Sequence, residues 1–444
     1  MEPTKVGMVS LGCSKNLVDS EIMLGSLEGA GYFITASPEE ADVIIINTCG
    51  FIEDAKEESI DTILEMAAYK ETGRCHTLLV TGCLSQRYSM ELMEAIPEID
   101  GMLGTGELDR LPELLQDAVQ KLRPMYVDLP GFIYEKELPR VLTTVGHSAY
   151  LKIAEGCDHR CAYCVIPALR GPFKSRTQAS IVNEAKKLAD QGVKELILVA
   201  QDTSAYGKDL PKAPQLPQLL WELGKIPNIH WLRVLYTYPT TFSPELVQAF
   251  AENPKICRYV DLPLQHAAND VLKRMGRGPV EMVQRQLIEN LRDAMPDIAL
   301  RSTFIVGYPG ETQADFEKLL AFLAEIQFDH VGIFPYSQEE GTPAAALPDQ
   351  IPEDIKLKRY EQAMALQKEI SRSKNSSRIG ETYEVVIDGP SEETDLVLVA
   401  RSQYQAPDVD GNIYIGNRHL PAGTFAKVRI KEAYDYDLVG EIVE

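Results

Sequence analysis

The sequence lacks both a long apolar segment and a secretion signal. Nowhere do its 444 residues contain a run of about eighteen apolar residues, so no transmembrane helix is predicted. The N-terminal segment MEPTKVGMVSLGCSKN has no basic stretch followed by an apolar one, which a secretion signal would need. From these two absences we expect a cytoplasmic protein with no membrane partner.

Basic residues are also scarce. Forty-four Lys and Arg against sixty-six Asp and Glu give a formal net charge of −22. A surface of that charge repels a phosphate backbone unless a local basic patch overrides the average, and it attracts a basic partner. Nucleic acid is therefore not expected as the direct substrate. The alternative, an acidic surface that serves only solubility, remains open on charge alone.

Structural disulfides are not expected, because thiols stay reduced in the cytosol. The eight cysteines are then metal ligands, nucleophiles or small buried hydrophobes. Two of them, Cys75 and Cys257, have no partner at a useful spacing, and we interpret them as buried hydrophobes. The other six fall into two sets of three, which are Cys13, Cys49 and Cys83, and Cys157, Cys161 and Cys164.

The length predicts two to four domains, and the first of them is expected over residues 1–130. Strand-like and helical stretches alternate there, which indicates an α/β domain with a parallel sheet. Cys13, Cys49 and Cys83 each follow a predicted strand directly. Since the carboxyl ends of parallel strands share one edge of a sheet, these thiols are expected to converge on a metal. The alternative is three cysteines buried in a core.

A linker is predicted from Pro124 to Arg140, followed by a second domain over residues 144–370. Six strands alternating with helices in that domain indicate a partial TIM-type (β/α) barrel. A polar helix ends the domain. Residues 378–444 change to short strands separated by Gly and Pro turns, which predicts a small closed β-barrel.

The strongest chemical signal is the segment GCDHRCAYC, just after the first strand of the second domain. Its spacing C-x3-C-x2-C supplies the thiolates of Cys157, Cys161 and Cys164 from one compact loop. Iron–sulfur cubanes are held by Cys thiolates, and three ligands leave the fourth iron open for a small chelating cofactor. A zinc site is the alternative, but structural zinc prefers four protein ligands and this loop has no obvious fourth.

This triplet, with Tyr163 before its last cysteine, resembles the radical S-adenosylmethionine superfamily. The segments CSKNLVDSE, NTC and TGC around Cys13, Cys49 and Cys83 resemble the N-terminal domain of the methylthiotransferase family. The resemblance covers nearly the whole chain and implies a Rossmann-like α/β domain, a radical S-adenosylmethionine barrel and a TRAM β-barrel. It also implies that Cys157, Cys161 and Cys164 are catalytic ligands of a 4Fe–4S cluster that binds S-adenosylmethionine. By the same resemblance, the N-terminal thiols hold a second 4Fe–4S cluster, which supplies or carries the inserted sulfur.

Weaker matches to the family extend the predicted cofactor site. They lie near strand ends or in the turn GYPGET, and each could equally be structural. The residues implied as cofactor contacts are Tyr163, Gln201, Asp202, Arg233, Gly307, Tyr308 and Glu311. His266 also matches the family, and a satisfied core histidine is an equally good interpretation.

The segment from Cys13 to Glu21 resembles the branch of the family that modifies a ribosomal protein. That resemblance implies methylthiolation of an aspartate β-carbon on small-subunit ribosomal protein S-twelve, either free or in the subunit. An electron donor of the flavodoxin or ferredoxin kind is implied as a second partner. The region from Glu381 to Glu444 has thirteen acidic residues and five basic ones, which disfavours tRNA as its ligand. A basic patch that includes Arg401, Arg418, Lys427 and Arg429 could still form. The alternatives are a tRNA adenosine methylthiotransferase and a non-catalytic iron–sulfur carrier.

Overall fold

The structure is a computed structural model that describes residues 4–130, 138–210, 215–278, 280–416 and 420–443. Three structural regions follow one another along the chain, each built around its own sheet or barrel. No helix in these ranges is both long enough and apolar enough to cross a membrane.

The N-terminal region is a parallel sheet of six strands with helices packed on it. Its strand order is β2-β1-β3-β4-β5-β6. The two central strands, β3 and β4, are buried along their whole length, as their Val, Ile and Leu content favours. The elements are β1 (Lys5–Ser10), α1 (Ser14–Gly29), β2 (Phe33–Thr35), β3 (Val43–Thr48), α2 (Glu53–Ala67), α3 (Tyr69–Thr72), β4 (Thr77–Gly82), α4 (Cys83–Ala95), β5 (Gly101–Leu103), α5 (Leu111–Val119) and β6 (Met125–Tyr126).

The segment predicted as a linker makes structural contacts at both of its ends. Its first part forms β6, which pairs with β5 through Met102 and Met125. Its last residue, Arg140, binds Glu21 of the first region and Glu184 of the second. Residues 131–137 of the predicted linker lie outside the described residues. Hydrophobic periodicity could not reveal these contacts. The strand β6 is only two residues long, and Arg140 pairs with residues that are far from it in the sequence.

The central region has six parallel strands that alternate with helices. Two three-stranded sheets, β7-β10-β11 and β12-β13-β14, are joined by a parallel bridge between Leu232 and Ile256. The elements are β7 (Ser148–Lys152), β8 (Ala154–Glu155), α6 (Ile166–Arg170), β9 (Lys174–Ser175), α7 (Gln178–Asp190), β10 (Glu195–Val199), α8 (Leu216–Gly224), β11 (Trp231–Val234), α9 (Pro244–Glu252), β12 (Tyr259–Asp261), α10 (Asn269–Arg274), α11 (Glu281–Ala294), β13 (Ala299–Val306), α12 (Gln313–Ile326), β14 (His330–Pro335) and α13 (Glu353–Ser377).

The barrel is partial, as the sequence predicts. Among the strand pairs of the described chain, the end strands β7 and β14 are not bonded to each other. Alternate residues of the strands, such as Leu196 and Leu198, pack in one large core with the helices. Their neighbours, including Tyr150, Ile197 and Tyr259, face the inner side and form a separate cluster.

The C-terminal region is a closed five-stranded barrel of order β15-β16-β17-β19-β18, in which only β17 and β19 pair in parallel. Its strands are β15 (Thr382–Pro390), β16 (Val397–Ser402), β17 (Ile413–Gly416), β18 (Phe425–Ala433) and β19 (Leu438–Val443).

The loop between β16 and β17 inserts against the inner side of the central sheet. Asp408 Oδ2 accepts a hydrogen bond of 2.9 Å from the hydroxyl of Tyr150, and Asp410 Oδ2 accepts one of 2.7 Å from Tyr259. The C-terminal barrel therefore closes the inner face near the amino ends of the strands and leaves the carboxyl ends to other groups.

Glu195 ties the C-terminal barrel to the central sheet. It accepts hydrogen bonds from Ser148 Oγ, Arg233 Nε and Arg401 Nη2 at 2.8–2.9 Å, and its side chain is fully buried. Burial alone would raise the pKa of Glu195, but Arg401 and Arg233 outweigh it and hold the pKa at about 2. Since the pKa of Glu in an unfolded chain is about 4.3, this carboxylate stabilises the fold fully above that pH. The contribution is lost as the pH falls toward about 2.

We therefore predict that Glu195→Gln lowers the free energy of unfolding by ~3–5 kcal/mol at neutral pH, as expected when one partner of a buried pair is removed. The difference from wild type should shrink by roughly 2 kcal/mol between pH 6 and pH 3. Urea unfolding at each pH measures both values. Glu252→Gln, at an exposed position, is the control and should show neither effect. A pH-independent difference for Glu195→Gln would contradict the assignment.

Candidate active site

The three-cysteine loop begins with a turn that requires glycine. Gly156 has a φ of +77°, and a Cβ there would lie 2.1 Å from the carbonyl oxygen of Pro172. The N–H of Cys157 then donates to the carbonyl of Gly171 at 3.1 Å, and the N–H of Cys164 donates to the carbonyl of Cys161. These local bonds bring the three thiols together just beyond β8.

The three thiols are close enough to influence one another. Burial raises the pKa of Cys157 to about 11, and the neighbouring Cys161 raises it further. The pKa of Cys164 is raised to about 12, again by burial first and then by the other two thiols. Thiols in this state do not carry negative charge by themselves, whereas bound iron would neutralise their thiolates. The loop therefore fits a cluster held by three cysteines.

Several side chains fix this loop. His159 Nε2 lies 2.7 Å from Asp202 Oδ2, and the His159 ring stacks on Tyr238 with the ring centroids 3.8 Å apart. The guanidinium carbon of Arg277 lies 4.0 Å from the centre of the same Tyr238 ring. Arg277 Nη1 is 3.8 Å from Cys161 Sγ, which places a buried positive charge beside the thiols.

Two of the predicted cofactor residues lie at the expected edge. Gln201 and Asp202 follow β10, where its carboxyl end meets the cysteine loop. Gln201 Nε2 donates to Glu155 Oε1 at 2.5 Å, and Asp202 holds the loop through His159. Both therefore bind the chain itself, and their contact with a cofactor stays a prediction. Tyr163 packs beside the hydrophobic cluster below the loop, and its role toward a cofactor also stays a prediction.

Arg233, another predicted cofactor residue, is bonded to the chain itself, and its contact with a cofactor stays a prediction. Its Nε donates to Glu195 at 2.8 Å, and its Nη1 donates to the carbonyl of Gln403 at 2.9 Å. The side chain is completely buried under the C-terminal barrel. The prediction placed Arg233 correctly on a strand of the barrel, but the loop between β16 and β17 covers this part of the inner face.

The turn after β13 is held by α13. A Cβ at Gly307, whose φ is +73°, would lie 2.4 Å from Lys356 Cγ. Glu311 Oε1 is 3.3 Å from Arg359 Nη1, and the hydroxyl of Tyr308 donates to the carbonyl of Arg274 at 3.0 Å. The group that comes close to Gly307 is thus Lys356 of α13, a part of the chain itself. A contact of Gly307, Tyr308 or Glu311 with the cofactor remains a prediction.

The N-terminal thiols lie at the carboxyl ends of the adjacent strands β1, β3 and β4. A Cβ at Gly12 would lie 2.9 Å from the Cβ of Cys49, and a Cβ at Gly50 would lie 2.9 Å from the carbonyl oxygen of Cys83. The loop that carries Cys13 thus touches that of Cys49, which in turn touches that of Cys83. Burial raises the pKa of Cys49 to about 11, and the charges of the other two thiols add to this.

This second triplet also fits a cluster, although here the charges of Lys15 and Arg170 outweigh burial and lower the pKa of Cys13. Across the described ranges, no three His, Cys, Asp or Glu side chains converge on a single metal ion. A 4Fe–4S cluster does not need three ligands on one ion, because each cysteine thiolate binds a different iron of the cluster.

One short helix connects the two triplets. The helix α6 begins two residues after Cys164 and ends at Arg170, while Leu169 and Val165 pack against Cys83. The fully buried guanidinium of Arg170 lies beside Cys83 and Cys13. Burial alone would lower the pKa of Arg170, but the negative charges around it outweigh burial and raise that pKa.

A buried ion network holds α6 against the first region. Arg170 pairs with Asp19 of α1 at 2.6 Å and with Glu155 at 3.3 Å, and it also donates to Asn16. Lys152 pairs with the same two carboxylates. The network fixes one triplet relative to the other.

Sequence analysis missed the side chains of this junction. The residues concerned are Lys15, Asp19, Lys152, Glu155, His159, Arg170, Tyr236, Tyr238 and Arg277. Lys15, Asp19 and His159 lie within recognised motifs, but those motifs were interpreted through their cysteines, and spacing provided no signal for the others. His266 is fully buried and its Nδ1 accepts from the N–H of Ala268 at 2.9 Å. Its Nε2 has no hydrogen-bond partner within the described residues, so the interpretation as a satisfied core histidine holds for one ring nitrogen.

Family models match three parts of the chain. They are described as uncharacterized protein family UPF0004 over residues 5–104, the radical SAM superfamily over residues 151–323 and the TRAM domain over residues 379–443. A solved structure of TsrM from Kitasatospora setae, a radical S-adenosylmethionine methyltransferase, is 16% identical with a TM-score of 0.57. It covers 77% of each chain and shows the likeness of fold.

Two curated relatives are similar along the full length. The ribosomal protein uS12 methylthiotransferase RimO of Desulforamulus reducens is 51% identical over 99% of both chains. That of Pelotomaculum thermopropionicum is 52% identical, also over 99% of both chains. With both cysteine triplets placed at one junction and this identity along the whole sequence, the chain belongs to the RimO family of radical S-adenosylmethionine methylthiotransferases.

Proposed function

We propose that this enzyme transfers a methylthio group to ribosomal protein uS12, the S-twelve of the small subunit. The observation that carries the proposal is the identity of about half, along the entire chain, to relatives named for that activity. The finer target, the β-carbon of an aspartate, rests on the resemblance of the segment from Cys13 to Glu21 to the ribosomal-protein branch. Such a substrate would place the enzyme in the cytoplasm.

We assign the two triplets to two 4Fe–4S clusters. Cys157, Cys161 and Cys164 would hold one and leave a corner for S-adenosylmethionine, and Cys13, Cys49 and Cys83 would hold the other. When bound, these groups supply the hydrogen abstraction and the sulfur, which ordinary side chains cannot provide. An outside electron donor of the flavodoxin or ferredoxin kind is part of the proposal.

The chain's own residues position these groups. Asp202 orients the cysteine loop through His159, and Arg277 sets a positive charge beside Cys161. Arg170, the last residue of α6, sets another beside Cys83. The ion network of Arg170, Lys152, Asp19 and Glu155 between the two triplets is buried.

The charge of the C-terminal barrel supports a basic protein substrate over tRNA. Arg401, a member of the basic patch considered above, is buried and pairs with Glu195 and Asp388. Lys427 is exposed. Arg418 lies outside the described residues. With Arg401 withdrawn into the interior, an acidic barrel remains, which attracts a Lys- and Arg-rich ribosomal protein.

Substrate choice is tested by incubating the reduced, cluster-loaded enzyme and S-adenosylmethionine anaerobically with purified uS12 or with unmodified tRNA. Mass spectrometry should find the methylthio increment on an aspartate of uS12 and none on tRNA. Modification of tRNA adenosine without modification of uS12 would overturn the proposal in favour of the tRNA enzyme.

A further inference from the structure

Lys15 is a buried cation without a carboxylate partner. Nine Lys and Arg residues of the described chain are more than nine-tenths buried. Seven of them form ion pairs with Asp or Glu, namely Lys152, Arg170, Arg176, Arg233, Lys356, Arg359 and Arg401. Within the described ranges, Lys15 and Arg277 have no such pair, although the chain carries 66 acidic residues.

An uncompensated buried cation is costly, so a site that retains one is prepared for an anion. Arg277 already lies against a thiol of the first triplet, at 3.8 Å from Cys161 Sγ. The nitrogen of Lys15 lies 3.2 Å above the centre of the Tyr236 ring, and its residue is 7% exposed. The Cys13 thiol, two residues earlier, is close enough to interact with this charge, but no carboxylate is paired with it. Aromatic faces attract cations but leave the other directions of an ammonium group free for hydrogen bonds.

The surroundings of Lys15 are arranged for negative charge. It lies in the first turn of the sixteen-residue helix α1, which has no acidic residue in that turn and no side-chain cap. The positive end of the helix dipole therefore adds to the charge of Lys15. Arg170 meanwhile is occupied by Asp19 and Glu155.

Tyr236 is held in a strained conformation beneath Lys15. Its φ is +59°, a left-handed value that costs free energy for a bulky residue. Its N–H donates to Asp261 Oδ2 at 2.9 Å and its carbonyl accepts from the N–H of Thr203 at 2.9 Å. Such fixed strain is characteristic of ligand sites, and here it sets the ring beyond the carboxyl end of β11, against Lys15 and Ser14 at the start of α1.

We propose that Lys15 binds the side-chain carboxylate of the target aspartate and so selects an acidic residue for methylthiolation. The inference rests on the proposed function, since it assumes an aspartate of uS12 as the substrate. A carboxylate placed there would lie between the two triplets. In a chain of net charge −22, a local cation is needed to overcome the repulsion of an acidic side chain. An asparagine could accept a hydrogen bond from the ammonium group but would not neutralise its charge, so it would bind more weakly.

The test measures binding, so that it does not depend on turnover. Full-length, cluster-loaded enzyme without reductant is titrated with purified uS12 and with uS12 whose target aspartate, located by tandem mass spectrometry, is changed to asparagine. Wild type should bind the aspartate form about tenfold more tightly or better, the range for a hydrogen bond to a charged group. Lys15→Met should bind both forms within about twofold of each other, because neither finds a cation. Lys15→Arg should retain the preference.

Two further measurements separate this role from others. Iron content should be unchanged in Lys15→Met, and its urea midpoint should be equal or higher, since a buried charge has been removed. Because Lys15 interacts with the Cys13 thiol, the potential of the N-terminal cluster should shift in either role, and the aspartate preference decides between the roles. Lys255→Met replaces a partly buried lysine that donates to the carbonyl of Ile226, and should keep the full preference.

Three results would overturn the assignment. Lys15→Met could keep the aspartate preference while losing iron or shifting a cluster potential, which would make Lys15 a counter-charge for the thiolates. Wild type could bind both uS12 forms equally, which would reject recognition of the carboxylate while uS12 methylthiolation stands. Methylthiolation of tRNA in place of uS12 would reject the proposed function, and the assignment of Lys15 with it.

Discussion

Replacing Cys157, Cys161 and Cys164 together with alanine is expected to abolish the formation of 5′-deoxyadenosine from S-adenosylmethionine. Replacing Cys13, Cys49 and Cys83 is expected to leave that formation largely intact and to stop methylthiolation of uS12. The reason is spatial: the triplets occupy separate loops on either side of α6, so that each set of thiols can be lost while the other keeps its ligands. Chromatography of the nucleoside product and mass spectrometry of uS12 measure the two outcomes.

Anaerobic iron and sulfide analysis makes the same test without turnover. Each triple variant should lose about four irons, the content of one cubane. The matched control replaces Cys75 and Cys257, which are buried in separate cores away from both triplets and should keep all the iron. An N-terminal triple variant that still methylthiolates uS12 would contradict the role of that triplet. A wild-type enzyme that forms no 5′-deoxyadenosine with reductant and cofactor would indicate a non-catalytic iron–sulfur carrier.

Asp19→Ala is expected to lower the free energy of unfolding by ~3–5 kcal/mol, the usual loss when one partner of a buried ion pair is removed. Asp19 is 2% exposed and accepts from both Lys152 and Arg170, so its removal leaves two buried cations to share Glu155. Urea unfolding followed by tryptophan fluorescence measures the change. Because α6 is held by this network, sulfur insertion should fall more steeply than cofactor cleavage.

The control for this prediction is Asp190→Ala. Asp190 ends α7 at an exposed position, and surface replacements of this kind usually change stability by less than about 0.5 kcal/mol. If Asp19→Ala lowers the free energy of unfolding by less than about 1 kcal/mol, the ion pairs of Asp19 stabilise the fold no more than a solvated surface pair does. An equal fall in cofactor cleavage and sulfur insertion would show that the network does not control the spacing of the two triplets.

Local sequence was a good guide wherever a short segment decides the structure. Cys157, Cys161 and Cys164 lie on one loop because Gly156 and the backbone bonds around it act over a few residues. Cys13 and Cys49 were placed correctly at one edge since parallel neighbouring strands share their direction. Strand and helix periodicity likewise predicted the partial barrel and the closed C-terminal barrel.

Contacts between regions were not predictable in this way. Arg233 looked like a cofactor residue because it lies on a strand of the barrel, yet a loop about 170 residues later covers it. Gly307 looked like a cofactor turn, whereas Lys356 of α13 makes the close approach. In both cases the residue and its secondary structure were read correctly, and the partner came from a distant part of the chain.

By itself, the sequence determined the order of the three regions, the two cysteine triplets and the acidic charge, because these depend on composition, period and spacing. Only the tertiary structure decided that α6 joins the triplets, that Arg170 and Asp19 are paired there, and that Lys15 is buried without a carboxylate. The physical reason is that the ionic state of a buried side chain depends on which groups surround it. Packing, and not the local sequence pattern, brings these neighbours together. Arg170 and Asp19, for example, lie 151 residues apart in the sequence.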